Sequence, residues 1–186
     1  MLTGPVLTLM TAQVVLKCSD DLSTDVIYPG RYMATVLPTE TSQFAFADHT
    51  AFNAKLKGKQ IPAGSIIVGG QNFGCGSSRE QAVSCLKGHG LVIVARSFAR
   101  IFLQNSINLG LRTIVCPTIQ AEEGDQLELG ASRVVNKTTK EEFPIVPLLE
   151  SRQAIIDAGG LIAYTRERLV HGTPRSKIST PTVQDP

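Results

Sequence analysis

The stretch Ser65-Ile66-Ile67-Val68-Gly69-Gly70-Gln71-Asn72-Phe73-Gly74-Cys75-Gly76-Ser77-Ser78-Arg79-Glu80-Gln81-Ala82 decides how the rest of the chain is read. It opens on a short β-branched run bounded by glycines, the pattern of a strand buried on both faces. A glycine-rich loop follows, and then a helix from about Ser77 to Leu86, closed by Lys87-Gly88-His89-Gly90. The same order then repeats. Leu91-Val92-Ile93-Val94 reads as a strand, Ser97 to Leu109 as a helix ended by Gly110, and Thr113-Ile114-Val115-Cys116 as a strand stopped by Pro117. Strand, helix, strand, helix, strand at this spacing calls for parallel strands joined by right-handed crossovers. The class is α/β.

Working outward, Leu7 to Lys17 predicts a strand that runs into an acidic turn, Ser19 to Asp25, and a Pro29-Gly30 break. Thr39 to Lys57 reads as helical. Glu128 to Phe143 predicts a β-hairpin with a polar turn around Asn136, and Ser151 to Arg168 a helix broken at Gly159-Gly160. Residues 1–168 make one domain. Residues 169–186 make a disordered tail, because from His171 onward small polar residues and three prolines dominate.

Composition narrows the function classes. Of the 186 residues 42% are hydrophobic and 18% charged, so the bulk of the chain can bury a core. Lys plus Arg number 18 against 16 Asp plus Glu, a net charge of +2 that argues against nucleic acid or a membrane surface as the main partner. No run approaches the roughly 20 apolar residues of a membrane span. The N-terminus lacks the pattern of a secretory signal, so the expected compartment is the cytoplasm. Cys18, Cys75, Cys85 and Cys116 form no C-x-x-C pair, two of them sit in apolar strand-like runs, and all are expected as buried free thiols and not as metal ligands.

The loop between the first quoted strand and its helix lies where open α/β sheets usually bind ligands. Glycines let the backbone approach a ligand closely, and a helix start offers unpaired N–H groups that favour an anion. Arg79 adds a guanidinium fork suited to a carboxylate. The competing reading is helix capping, since Ser77-x-x-Glu80 and Ser78-x-x-Gln81 both fit a capping box. Capping accounts for one serine, but not for two adjacent serines followed by an arginine. The loop matches neither the Walker pattern nor G-x-G-x-x-G.

Asn72-Phe73-Gly74-Cys75-Gly76-Ser77-Ser78-Arg79-Glu80 closely resembles the active-site loop of the swivel domain in the aconitase superfamily, in particular of the 3-isopropylmalate dehydratase small-subunit family. Asp21 to Pro29 resembles that family's D-x-x-T-D-x-I-x-P segment. Ser97 to Phe102 with Asn105 and Asn108 to Leu111 resembles its next helix, and Ala158-Gly159-Gly160-Leu161 also fits. The resemblance covers about residues 7 to 168. It implies a three-layer swivelling β/β/α domain with a parallel βαβαβ core and a β-hairpin.

It also implies a reaction: a hydroxyl moves between neighbouring carbons of a malate-like acid by loss and re-addition of water. By resemblance Ser77 is the catalytic base, acting as an alkoxide, and Arg79 holds a substrate carboxylate. Gly74, Cys75 and Gly76 supply loop backbone, and Ser78, Thr24 and Asp25 bind or border the substrate, with Asp25 placed to orient Arg79. The family's [4Fe-4S] cluster sits on a separate large subunit, so this chain is expected to bind no cofactor and to act only in a heterodimer or higher heteromer. Tyr32, Met33 and Ala34 suit a branched alkyl group better than a third carboxylate, although Arg31 is close in sequence to that position. Gln81 stands where many small subunits have His. Isopropylmalate, interconverted between its 2- and 3-isomers in leucine biosynthesis, is the expected substrate, with 2,3-dimethylmalate and homoaconitate- or methylcitrate-type acids as alternatives. Two further classes remain: a stand-alone carboxylate- or phosphate-binding module that catalyses nothing, and a structural partner whose serines are caps.

Overall fold

The computed structural model describes residues 9–35 and 37–170. Seven strands form one sheet: β1 (Met10–Lys17), β2 (Ile66–Gly69), β3 (Val92–Ala95), β4 (Thr113–Val115), β5 (Gln126–Leu129), β6 (Arg133–Asn136) and β7 (Glu141–Pro144), in the order β4-β3-β2-β1-β5-β6-β7. The helices are α1 (Thr24–Ile27), α2 (Pro38–Thr41), α3 (Thr50–Lys57), α4 (Glu80–Gly88), α5 (Arg100–Leu109), α6 (Glu150–Asp157) and α7 (Leu161–Val170). From β1 to β4 the pairing is parallel, with Val68 opposite Val94 and Val94 opposite Ile114. From β1 through β5 and β6 to β7 it is antiparallel.

Every residue of β2 and β3 is buried, as parallel strands covered on both faces require. The period of two divides their side chains between two cores. Ile67 and Ile93 join Leu86, Phe73 and Phe102 beneath the helices. Ile66, Val68, Val92 and Val94 join Leu127, Leu129, Val134 and Phe143 from the antiparallel half. That half therefore covers the face turned away from the helices. The Val146 N–H donates to Val115 O at 2.8 Å, so the chain leaving β7 returns to the edge of β4. The expected three layers and parallel core are present.

Local boundaries differ from the sequence reading for identifiable reasons. The first strand begins at Met10; residues 7 and 8 lie outside the described residues. The Thr39–Lys57 helix is two helices, α2 and α3, separated by a 3-10 turn at Ser42–Phe44 and by Phe46 at φ +51°. The hairpin is a three-stranded meander, because β5 starts earlier and pairs with β1 as well as β6. Its turn is close to the expected place: Asn136 Oδ1 accepts the N–H groups of Thr138 and Thr139. The last helix breaks at Gly159-Gly160 as expected. Residues 169 and 170 complete α7, and the remainder of the expected tail lies outside the described residues. Among the described residues no helix is long and apolar enough to cross a membrane.

Candidate active site

The loop after β2 is clamped against the turn after β1. The Asp21 N–H donates to Gln71 O at 2.8 Å, and Asn72 Nδ2 donates to Asp21 Oδ1 at 2.8 Å. The Gly74 and Cys75 N–H groups both donate to Leu22 O, at 2.8 and 3.1 Å, and the Thr24 N–H donates to Cys75 O at 2.8 Å. Phe73 anchors the loop from below, edge-on to Phe98 and Phe102 at centroid distances of 5.9 and 5.4 Å. Gly74 can pass over this cluster only as glycine. Its φ is +80°, and a Cβ would collide with the Phe102 ring.

This clamp brings together residues 53 positions apart. The Ser77 N–H donates to Thr24 Oγ1 at 3.2 Å, and the Ser77 and Thr24 hydroxyl oxygens lie 3.0 Å apart. Ser77 is half-buried and Ser78 exposed. Asn105 Nδ2, on α5, donates to Ser78 O at 3.1 Å. Neither serine caps a helix: α4 begins at Glu80, its N-cap is Arg79, and no side chain makes a capping bond there. The helix is thus shorter than expected at its start, and the capping explanation of Ser77 and Ser78 fails.

The Arg79 side chain, 17% exposed, forms an ion pair with Asp25. The hydrogen bond from Arg79, with its positive charge and the Gly30 backbone, holds the Asp25 carboxyl below its ordinary range. Asp25 thus lies directly against the Arg79 guanidinium. Thr24 differs from its expected place at the substrate. It is 1% exposed, and its hydroxyl points to Ser77, which puts it behind the serine.

The expected specificity residues divide. Tyr32 packs into the core, stacked on Phe44 at 4.1 Å between centroids, while Met33 and Ala34 are exposed. Arg31 lies over the Tyr32 ring at 4.7 Å and pairs with Asp48, its Nη1 donating to Oδ2 at 3.1 Å. Asp48 and the contact of Asn105 with Ser78 had no expected role. Asp48 is 17 residues from Arg31 and carries no local signal, whereas Asn105 stood in the matched helix segment without one.

The donors of this chain do not fit a cluster. Cys85 and Cys116 are buried in separate cores, and burial raises both thiols, Cys116 to about 11. Burial, with Glu123 nearby, raises Cys18 to about 12, and Cys75 Sγ donates to Asp21 O at 3.2 Å. Among the described residues no three His, Cys, Asp or Glu side chains converge as metal ligands.

Comparison with known proteins follows the same lines. The aconitase C-terminal domain family matches residues 28–118. The small subunit 1 of 3-isopropylmalate dehydratase from Archaeoglobus fulgidus is 40% identical over 154 residues, 81% of this chain and 93% of that protein. The isopropylmalate/citramalate isomerase small subunit of Methanocaldococcus jannaschii is 42% identical over 160 residues, 83% of this chain and 93% of that protein. A crystal structure of 3-isopropylmalate dehydratase from Methanocaldococcus jannaschii superposes with a TM-score of 0.79 at 34% identity, covering 88% of this chain and 97% of that one.

Proposed function

This chain belongs to the 3-isopropylmalate dehydratase small-subunit family, and from that premise we propose that it is the small subunit of a hydro-lyase interconverting 2-isopropylmalate and 3-isopropylmalate, a step of leucine biosynthesis. The observation that carries the reading is the placing of Ser77 Oγ and the Arg79 guanidinium on one clamped loop, each backed by a partner from the turn after β1. Arg79 binds a substrate carboxylate, its fork held in direction by Asp25. The adjacent carbon-bound proton then lies toward Ser77, which removes it as an alkoxide. The hydroxyl on the neighbouring carbon takes up a proton from an acid on the partner side of the cleft and departs as water, leaving the unsaturated diacid. Water then re-adds with the opposite orientation, giving that proton back to the acid while Ser77 returns its own proton to the other carbon, and the isomer results. A [4Fe-4S] cluster on a large-subunit partner would supply Lewis acidity toward that hydroxyl. The donors among the described residues of this chain do not fit such a cluster. Substrate lies between the two subunits, and the compartment is the cytoplasm.

The isopropyl group is met by Met33 and Ala34, the exposed part of the Tyr32-Met33-Ala34 segment. Arg31 is turned to Asp48 and the Tyr32 ring, and among the described residues no other cation stands at Met33 and Ala34 to meet a third carboxylate, which supports a dicarboxylic substrate over homoaconitate- and methylcitrate-type acids. An unpaired carboxylate beside Met33 and Ala34 would be costly to bury.

The test is reconstitution with the large subunit, followed by assays on 2-isopropylmalate, 2,3-dimethylmalate, citramalate and homocitrate. The expected result is the highest kcat/KM on 2-isopropylmalate and none from this chain alone. A higher value on homocitrate would overturn the substrate assignment.

A further inference from the structure

From the burial and bonding of Thr24 we infer that its hydroxyl is the internal donor that stabilises the anionic form of Ser77, and that it is a positioning residue rather than a substrate contact. The inference rests on Ser77 being the base. Thr24 opens α1, capped by Ser23, whose Oγ accepts the Asp25 N–H at 3.1 Å. The Thr24 N–H is fixed on Cys75 O at 2.8 Å, and its carbonyl accepts the Tyr28 N–H at 2.8 Å. The backbone is therefore held on both sides, and its side chain is 1% exposed.

A threonine hydroxyl has one proton and two lone pairs. One lone pair of Thr24 Oγ1 takes the Ser77 N–H at 3.2 Å. The other polar contact is Ser77 Oγ at 3.0 Å, where either oxygen can donate while both hydroxyls are neutral. Once Ser77 loses its proton only Thr24 can donate. The bond then acquires a fixed direction and an ionised acceptor, which strengthens it. Interactions that favour only the charged form lower its pKa, and the buried setting amplifies this. Thr24 thus acts selectively on the base form of Ser77. By accepting the Ser77 N–H it also fixes the backbone from which that oxygen projects.

The test uses the complex assembled with the large subunit, carrying Thr24→Val, Thr24→Ser or Ser77→Ala. Valine keeps the branched shape and removes the hydroxyl. Loss of a hydrogen bond to a charged group predicts a fall in kcat of about 10- to 100-fold, with KM little changed. The acid limb of the kcat–pH profile should move to higher pH. Thr24→Ser should recover most of the rate, because it restores the hydroxyl. Size-exclusion and thermal melting establish that each variant assembles, and Thr24→Ala carries the test if valine prevents folding. Wild-type kcat and an unmoved acid limb in the valine variant would overturn the inference, as would equal losses with valine and serine. Ser77→Ala separates the two claims. An inactive Ser77→Ala complex beside a fully active Thr24→Val complex removes only the role of Thr24, while an active Ser77→Ala complex removes the base itself.

Discussion

As the proposed base, Ser77 would carry a charge that an ordinary serine does not carry near neutral pH, so each neighbour matters by how it treats the anion. Thr24 lies behind it, and the Arg79–Asp25 pair lies on the same loop. Asp25 holds the Arg79 fork in direction; its own carboxyl is held low mainly by the bond from Arg79. A depressed carboxyl contributes to the native arrangement above its unfolded pKa, and that contribution is lost as pH falls through the folded pKa. An NMR titration of the isolated chain should therefore place Asp25 below the 3.8 of a free aspartate, and Arg79→Ala should return it toward that value. Asp25→Asn keeps the shape and removes the charge. In the assembled enzyme it should raise KM for isopropylmalate more than it lowers kcat, because Arg79 is left less well directed. An unchanged KM would show that Arg79 needs no such partner.

The elements most legible in the sequence were those fixed by short-range pattern. The glycine-bounded runs of β2 and β3 and the Gly159-Gly160 break appear where periodicity puts them. Where tertiary contacts decided, local pattern failed. Two serines with Glu80 and Gln81 at capping distance look like a helix start, yet the clamp to Leu22 and Thr24 keeps Ser77 and Ser78 out of the helix. The break within Thr39–Lys57 depends on Phe46 turning into the core, which no spacing announces. Two tests belong here. Gly74→Ala forces a side chain at positive φ into Phe102, so it should lower unfolding free energy by about 2 kcal/mol or more in urea titration. Ala34→Arg places a charge on the exposed segment beside Met33. It should lower kcat/KM for isopropylmalate and raise that for homocitrate by about tenfold, since apolar pockets discriminate by only about 1–3 kcal/mol. If neither rate changed, that segment would not line the substrate.

At the scale of the whole molecule, the sheet presents one end of its parallel strands as an active face. The turn after β1 and the loop after β2 meet there, and the helices and antiparallel half serve as their support. On the proposed mechanism the chain brings a base, a carboxylate clamp and the parts that hold them. The loop motif singled out Ser77 and Arg79, which the structure places on one clamped loop. The sequence did not carry the placing of Thr24 behind Ser77, the Asn105 contact or the Asp48 latch on Arg31, since each joins residues distant along the chain. The proposed reaction turns on one proton moving to one oxygen. The direct measurement is wash-in of solvent deuterium at the carbon-bound position of isopropylmalate by the fully assembled enzyme. Ser77→Ala should slow that exchange by about 10²- to 10⁴-fold with assembly intact. Exchange at the wild-type rate would contradict the assignment of the base to this chain.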